Sequence, residues 1–365
     1  MPRTDTRATR PRAPVVPVLI AAILSLAAGV RLPAAAAAQR LTVKDNLRRA
    51  VEVSVPAQRI LSLQPEITRI IVALGAGERL VGLDYFIRDN DHLFKIIFPA
   101  GQSLPVVSKP DESVNRELVV RLKPDIIFTS PTEQQVPDSI QRSLGIPVLA
   151  MASMGSFQGL LAEIELLGKV TGRTERAAEL KGYFRQKLAS LAEAFLPLEP
   201  AGRPRVYLAF WSSLIRTPVS YEPVGLAGGR NVADGLLPSY LGSIGTIVNL
   251  EKIIRWDPDI ILIQGSFLPK DRIVTVRGVL EDSRLRPVMA VRTGRVHYTF
   301  GFWYWWDPAC VLAETLYLAK LFHPKRFAAV DIEAEGNAVF KKFYGIDSGF
   351  TELTRTLGLD AWTAR

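Results

Sequence analysis

The sequence predicts an α/β protein: two related lobes with parallel sheets, joined by one long rigid helix. Three observations lead there. The same helix-to-strand unit occurs once in each half of the chain, short apolar runs alternate with stretches of helical periodicity, and a long amphipathic stretch lies between the halves. Strand and helix in alternation argue for βαβ units and a parallel sheet.

The repeat is read from Asn115 to Ile127, NRELVVRLKPDII, against Asn249 to Ile261, NLEKIIRWDPDII. Asn115/Asn249, Glu117/Glu251, Arg121/Arg255, Pro124/Pro258, Asp125/Asp259, Ile126/Ile260 and Ile127/Ile261 are identical at an offset of 134. In each copy Asn serves as N-cap, a short helix follows, and Pro-Asp stops it before a buried strand. The runs DIIF and DIIL are of the kind found in sheets covered on both faces. Further strands are expected at Arg59 to Leu63, Arg79 to Leu83, Pro147 to Met151, Arg205 to Phe210 and Arg295 to Phe300. Helices are expected over Pro65 to Leu74 and over Pro308 to Phe322, where Leu312, Leu316, Ala319 and Phe322 recur at helical spacing.

Between the halves, Leu160, Leu161, Ile164 and Leu167 form one amphipathic stretch before a break at Thr171-Gly172. A second, from Glu175 to Phe195, carries Leu180, Phe184, Leu188, Leu191 and Phe195. Its length corresponds to roughly 31 Å of helix, a strut rather than a flexible linker. The expected division is a signal peptide over 1–38, an N-terminal lobe over 39–155, a connecting helix region over 156–200 and a C-terminal lobe over 201–365. Tail residues Phe340, Phe343 and Tyr344 are expected to pack on the second lobe.

Composition excludes several classes. The chain of 365 residues is 48% hydrophobic, which argues against disorder, and a single cysteine cannot make an intrachain disulfide framework. The net charge of +9 owes +4 to the first 38 residues, and no long Lys/Arg cluster follows, so no nucleic-acid partner is expected. Those first residues, basic and then apolar from Val15 to Val30, read as a cleavable export signal. The apolar run falls short of the roughly 20 residues that span a bilayer. The only cysteine, Cys310, is remote from this segment, which argues against a lipid-anchored N-terminus. The expected location is the periplasm.

With these elements in place, the chain resembles the class III periplasmic substrate-binding proteins of ABC importers. The resemblance is carried in order by Val55-Pro56 to Arg59-Ile60, Ala73 to Gly77 with Val81-Gly82, Leu122 to Asp125, Gly145 to Val148, Gly228 to Ala233 and Phe322 to Pro324. It covers roughly residues 41 to 330. It implies two Rossmann-like lobes, a ligand cleft between them, and capture of a ferric siderophore, haem or cobalamin for an inner-membrane permease. It also implies that Glu117 and Glu251, one per repeat copy, dock onto permease arginines. Such carboxylates suit charge-assisted contacts with Arg; otherwise they read as first-turn glutamates favoured by the helix dipole.

Ligands of open α/β sheets lie beyond the carboxyl ends of the strands. The loops Ser62 to Glu66, Asp84 to Arg88, Lys109 to Ser113 and Thr129 to Gln134 are therefore read as one cleft wall. Phe210 to Arg216, Gln264 to Leu268 and Gly301 to Asp307 are read as the other. Five successive aromatics, Phe302 to Trp306, suit a large, partly apolar ligand. Trp303, Tyr304, Trp305 and Trp306 are the main candidates, with Tyr85 and Trp211 from other loops. Arg88 and Arg216 are candidate partners for an anionic chelate.

A bare metal site is disfavoured, with only His92, His297 and His323 in the chain, and haem iron ligation by Tyr85 or Tyr304 is left open. Gly75-Ala76-Gly77 follows a helix and precedes a strand, the reverse of a dinucleotide loop, and reads as a helix C-cap. Nothing assembles a nucleophile, a base and an orienting group, so no enzyme and no resident cofactor are expected. The reading is a monomeric binding protein for an iron chelate. Cobalamin or haem binding, an exported enzyme such as a chelatase, and an interaction protein without ligand are the alternatives.

Overall fold

The computed structural model describes residues 39–109, 113–130, 135–151, 156–195, 202–239, 245–300 and 306–359. Residues Ala38–Arg365 form one compact unit. The signal-peptide reading of residues 1–38 lies outside the described residues. No described helix is long and apolar enough to cross a membrane.

The chain enters through an antiparallel hairpin, β1 (Gln39–Lys44) and β2 (Ala50–Val55). The first sheet follows: β3 (Ile60–Ser62), α1 (Pro65–Ala73), β4 (Leu80–Leu83), α2 (Tyr85–Asn90), α3 (His92–Ile97), α4 (Arg116–Leu122), β5 (Ile126–Thr129), α5 (Gln135–Leu144) and β6 (Val148–Ala150). Then α6 (Phe157–Val170) and α7 (Thr174–Phe195) lead to the second half. There β7 (Arg205–Ala209), β8 (Arg216–Pro218), α8 (Glu222–Leu226), β9 (Arg230–Asn231), β10 (Gly245–Ile247), α9 (Leu250–Trp256), β11 (Ile260–Gln264), α10 (Val276–Glu281), α11 (Met289–Arg292), β12 (Val296–Thr299) and α12 (Pro308–Phe322) are followed by α13 (Ile332–Tyr344) and α14 (Gly349–Thr356).

The first sheet has the order β4-β3-β5-β6 and the second β9-β7-β11-β12, every pairing parallel. Counted within its own sheet, each runs second, first, third, fourth strand. The strands read from the sequence all form: β3, β4, β6, β7 and β12 are one or two residues shorter than expected, while β5 and β11 each start one residue later than the repeat runs and extend beyond them. β1, β2 and the short β8, β9 and β10 were not anticipated.

The repeat is the same in three dimensions. Asn115 Oδ1 accepts the Leu118 N–H at 3.0 Å and Asn249 Oδ1 the Lys252 N–H at 2.9 Å, capping α4 and α9. Both helices end in a left-handed residue, Lys123 at φ 46° and Asp257 at φ 43°. The aspartate after the proline does more than stop the helix. Asp125 accepts the backbone N–H groups of Gln58 and Arg59 at 2.7 and 3.1 Å, and Asp259 that of Arg205 at 2.7 Å. The guanidinium groups of Arg59 and Arg205 in turn donate to carbonyls at the ends of α4 and α9. Each copy thereby fastens a helix C-terminus to the start of the neighbouring first strand.

The strut forms as expected: α7 has 22 residues, about 33 Å at 1.5 Å per residue. Ala177, Leu180, Phe184, Leu191 and Phe195 are its buried stripe. Gly172 takes φ +66° at the break before it, a conformation open to glycine at little cost. His323 is structural: its Nε2 lies 3.1 Å from the Gly228 carbonyl, and a Cβ at Gly228 would come within 2.7 Å of that nitrogen.

The tail departs from expectation. α13 packs on α12 of the second half, but α14 packs on α3 of the first. Phe350 is fully buried, with its ring 5.9 Å from Phe300 and 5.8 Å from Phe340. Arg176 of the strut reaches the ends of two helices, donating to Ala73 O at 3.3 Å and to Lys342 O at 2.6 Å. Residues 332–359 therefore form a strap across both halves.

Candidate functional site

In each sheet the chain reverses its direction of winding between the first strand and the third, at β3/β5 and at β7/β11. The crevice beyond such a switch point is where open α/β sheets receive ligands. Buried polar side chains collect at both. Ser62, Gln64 and Thr129 are 0%, 8% and 6% exposed, and Gln264 and Ser266 are 3% and 5%. Buried polar groups must be hydrogen-bonded, and these are organised locally. Gln64 Nε2 donates to Glu66 Oε2 at 2.6 Å, and Thr68 Oγ1 to Ser62 Oγ at 2.7 Å. In the second sheet, Gln264 Oε1 accepts the Trp211 N–H at 2.6 Å while its Nε2 donates to Ser266 Oγ at 2.9 Å.

Trp211 and Ser212, at φ 54° and 55°, make a left-handed turn directly after β7. Non-glycine residues hold such conformations at a cost of about 1–3 kcal/mol and cluster at ligand sites. The Gln264 hydrogen bond fixes this turn and with it the half-buried Trp211 indole. Tyr85, also half-buried, opens α2, and its N–H donates to Ser108 Oγ at 3.0 Å. Ser108 in turn donates to Asp84, whose carboxyl burial pushes above its ordinary value.

The other sequence candidates are placed unevenly. Arg88 is committed to Asp89, with Nε 2.7 Å from the carboxylate, so its charge is already answered. Arg216 lies on β8, paired with Ile247 of β10, beside the N-terminus of α9. Trp306 turns inward and is 1% exposed within the main core, a correction to its reading as a cleft wall. Its neighbour Asp307 caps α12, accepting the Ala309 and Cys310 N–H groups at 3.0 and 2.8 Å, and the cap draws this end of the segment into the interior. Trp303, Tyr304 and Trp305 lie outside the described residues. Glu117 and Glu251 are both exposed in the first turns of α4 and α9.

A buried charged cluster below this site was not anticipated. Arg69 of α1 is 1% exposed. It meets Asp91 at 2.6 Å, Asp307 at 3.6 Å and Glu66 at 3.8 Å. Tyr344 of α13 donates to Asp307. Burial raises the carboxyls of Glu66 and Asp307 above their ordinary range, and Arg69 opposes that shift. Burial beside Asp307 also drives the Cys310 thiol well up, so it is an inert core residue as expected. The cluster joins the first half, the second half and the tail through residues far apart in sequence. Only Glu66 and Arg69, one turn apart on α1, are neighbours in sequence.

His297 sits on β12, where burial and then Arg295 lower its pKa to about 4. His92 is also lowered, by burial first, and it lies within electrostatic reach of Asp271 from the other half. Among the described residues no group of three or more His, Cys, Asp or Glu side chains is arranged to hold a metal ion.

A sequence-family model described as "Periplasmic binding protein" matches residues 60–300. The molybdate-binding protein MolA of Haemophilus influenzae is 27% identical over 363 residues, covering 90% of this chain and 95% of its own. A cobalamin-binding protein of Halobacterium salinarum is 26% identical over 261 residues, covering 70% of this chain and 67% of its own. Among solved structures, molybdate-bound MolA superposes with a TM-score of 0.69 at 22% identity, over 84% of this chain and 98% of its own. CeuE of Helicobacter pylori, in a nickel–histidine complex, gives 0.68 at 17% identity, over 86% and 98%.

Proposed function

The chain belongs to the class III periplasmic binding proteins, and on that premise we propose that it captures a small metal-bearing complex, a ferric chelate in the first instance, for an ABC importer. The observation that carries this reading is the pair of matched switch points, each floored by a buried glutamine, Gln64 and Gln264. Amide and hydroxyl groups recognise the outer oxygens and nitrogens of a ligand that brings its own metal coordination. Ligand capture would proceed between the sheets against Tyr85 and Trp211, with Trp303, Tyr304 and Trp305 as further candidate walls. The lobe division at 39–155, 156–200 and 201–365 belongs to this proposal, as does delivery to a permease through Glu117 and Glu251.

A second reading is a bare oxyanion such as molybdate. It is favoured by the molybdate-binding relative matching over 95% of its own length. Tryptophan fluorescence of Gln39–Arg365, titrated with ferric siderophores, haemin, cyanocobalamin and molybdate, separates the readings. Saturable one-to-one quenching by a ferric chelate alone supports the first and by molybdate alone the second. Silence with every ligand rejects both. Catalytic conversion of a bound chelate would instead favour an exported enzyme.

A further inference from the structure

Among the described residues five large aliphatic side chains are exposed: Val120, Ile215, Leu237, Ile247 and Ile273. Three of them adjoin the two repeat glutamates. Val120, 57% exposed, lies three residues beyond Glu117 and so on the same face of α4. Ile247 and Ile215, 59% and 39% exposed, line with Leu214, Leu250 and Glu251 a groove of about 820 Å³ at the start of α9.

The two cations lining that groove, Lys252 and Arg284, are turned to other partners. Lys252 directs its ammonium back over the Trp256 ring, 5.2 Å from the centroid, and Arg284 is held by Asp282 at 2.7 Å. Neither Glu117 nor Glu251 is in an ion pair among the described residues.

We infer that Val120 on one lobe, and Ile215 with Ile247 on the other, are apolar anchors of the permease-docking surface. This rests on the docking role proposed for Glu117 and Glu251. The partner that fits is a permease loop carrying an arginine beside an apolar side chain, the arginine meeting the carboxylate and the apolar group entering the groove. Apolar anchors beside a charged contact supply affinity, while the charges steer and orient. The two sides differ: lobe one places its anchor after the glutamate, on the helix itself, and lobe two places it before, on the β8–β10 ribbon. The repeat equivalent of Val120 is Ile254, which is half-buried against the second core.

The test is photocrosslinking in the organism's own cells, with p-benzoylphenylalanine placed singly in the full chain and the adducts identified by mass spectrometry. Positions Val120 and Ile247 probe the anchors. Arg121 and Arg255, exposed one turn beyond each glutamate, probe the docking role alone, and Leu237 and Ile273 are exposed controls. The expected result is adducts with an ABC permease subunit from 120, 247, 121 and 255, none from 237 or 273, and a loss of about tenfold at 120 on adding Ile247→Asp. Adducts from 121 and 255 without 120 and 247 overturn the anchors and leave docking standing. Equal adducts from 237 and 273 also overturn them. No permease adduct at any position overturns the docking role and the anchors together.

Discussion

Arg69 faces more negative charge than one guanidinium can answer, since Glu66, Asp91 and Asp307 all lie within 4 Å of it. Burial therefore keeps protons on Glu66 and Asp307 to higher pH than in the unfolded chain. From the ordinary values of 4.5 and 3.8 upward the folded state binds more protons than the unfolded one, so these two groups make stability fall as pH rises through that window. Most carboxylates act in the opposite direction. Asp307→Asn keeps an acceptor for the α12 cap and removes the titration. In urea unfolding between pH 4 and 7, the variant is expected to lose part of this downward slope; an unchanged slope contradicts the protonated state. Arg69→Met leaves Asp91 without its partner, and a loss of about 3–5 kcal/mol is expected from the same urea curves.

The two repeat helices allow a matched comparison at the scale of the element. Both end in a left-handed residue, which for a residue with a Cβ costs about 1 kcal/mol. Lys123→Gly should recover roughly that amount in thermal or chemical unfolding. Asp257→Gly should not, because the Asp257 carboxylate accepts the Met289 N–H at 2.7 Å and fixes the start of α11. Equal gains at the two sites would mean that this hydrogen bond contributes nothing. The same elements show what could be read in advance. Buried parallel strands are continuous apolar runs, so β5 and β11 stood out, and α12 was bounded correctly by Pro308 and Phe322. The hairpin was missed although Val51 and Val53 alternate with exposed residues, as one-sided strands do. β9 has two residues, too few to show any period. The Arg69 cluster was illegible for another reason: Asp307 and Tyr344 are brought to it by the fold, and no local pattern marks a residue whose partner lies more than 200 positions away.

Across the whole molecule, the strut, the cluster and the strap all connect the two sheets. Cys310 is fully buried, so labels at Arg142→Cys and Arg277→Cys, on α5 and α10, can report their separation without interference. The unliganded protein should give one narrow distance distribution by pulsed electron paramagnetic resonance, and Arg69→Gln should broaden it. Two resolved populations in the unmodified background would contradict a cleft of fixed width. Phe350→Ala, which empties the contact between α14, Phe300 and Phe340, is expected to cost about 3–5 kcal/mol in urea unfolding.

The strap also sets an order of events. The face of α3 that α14 covers is synthesised about 250 residues before α14 itself. The first sheet can be assembled early, but one side of its core stays open until α14 has been made. Contacts of such long sequence separation form slowly. During that interval Leu93, Phe94 and Ile97, all buried in the finished fold, include apolar surface for which the chain has not yet made the cover. A protein built this way needs protection of its N-terminal half in proportion to the time taken to make the other.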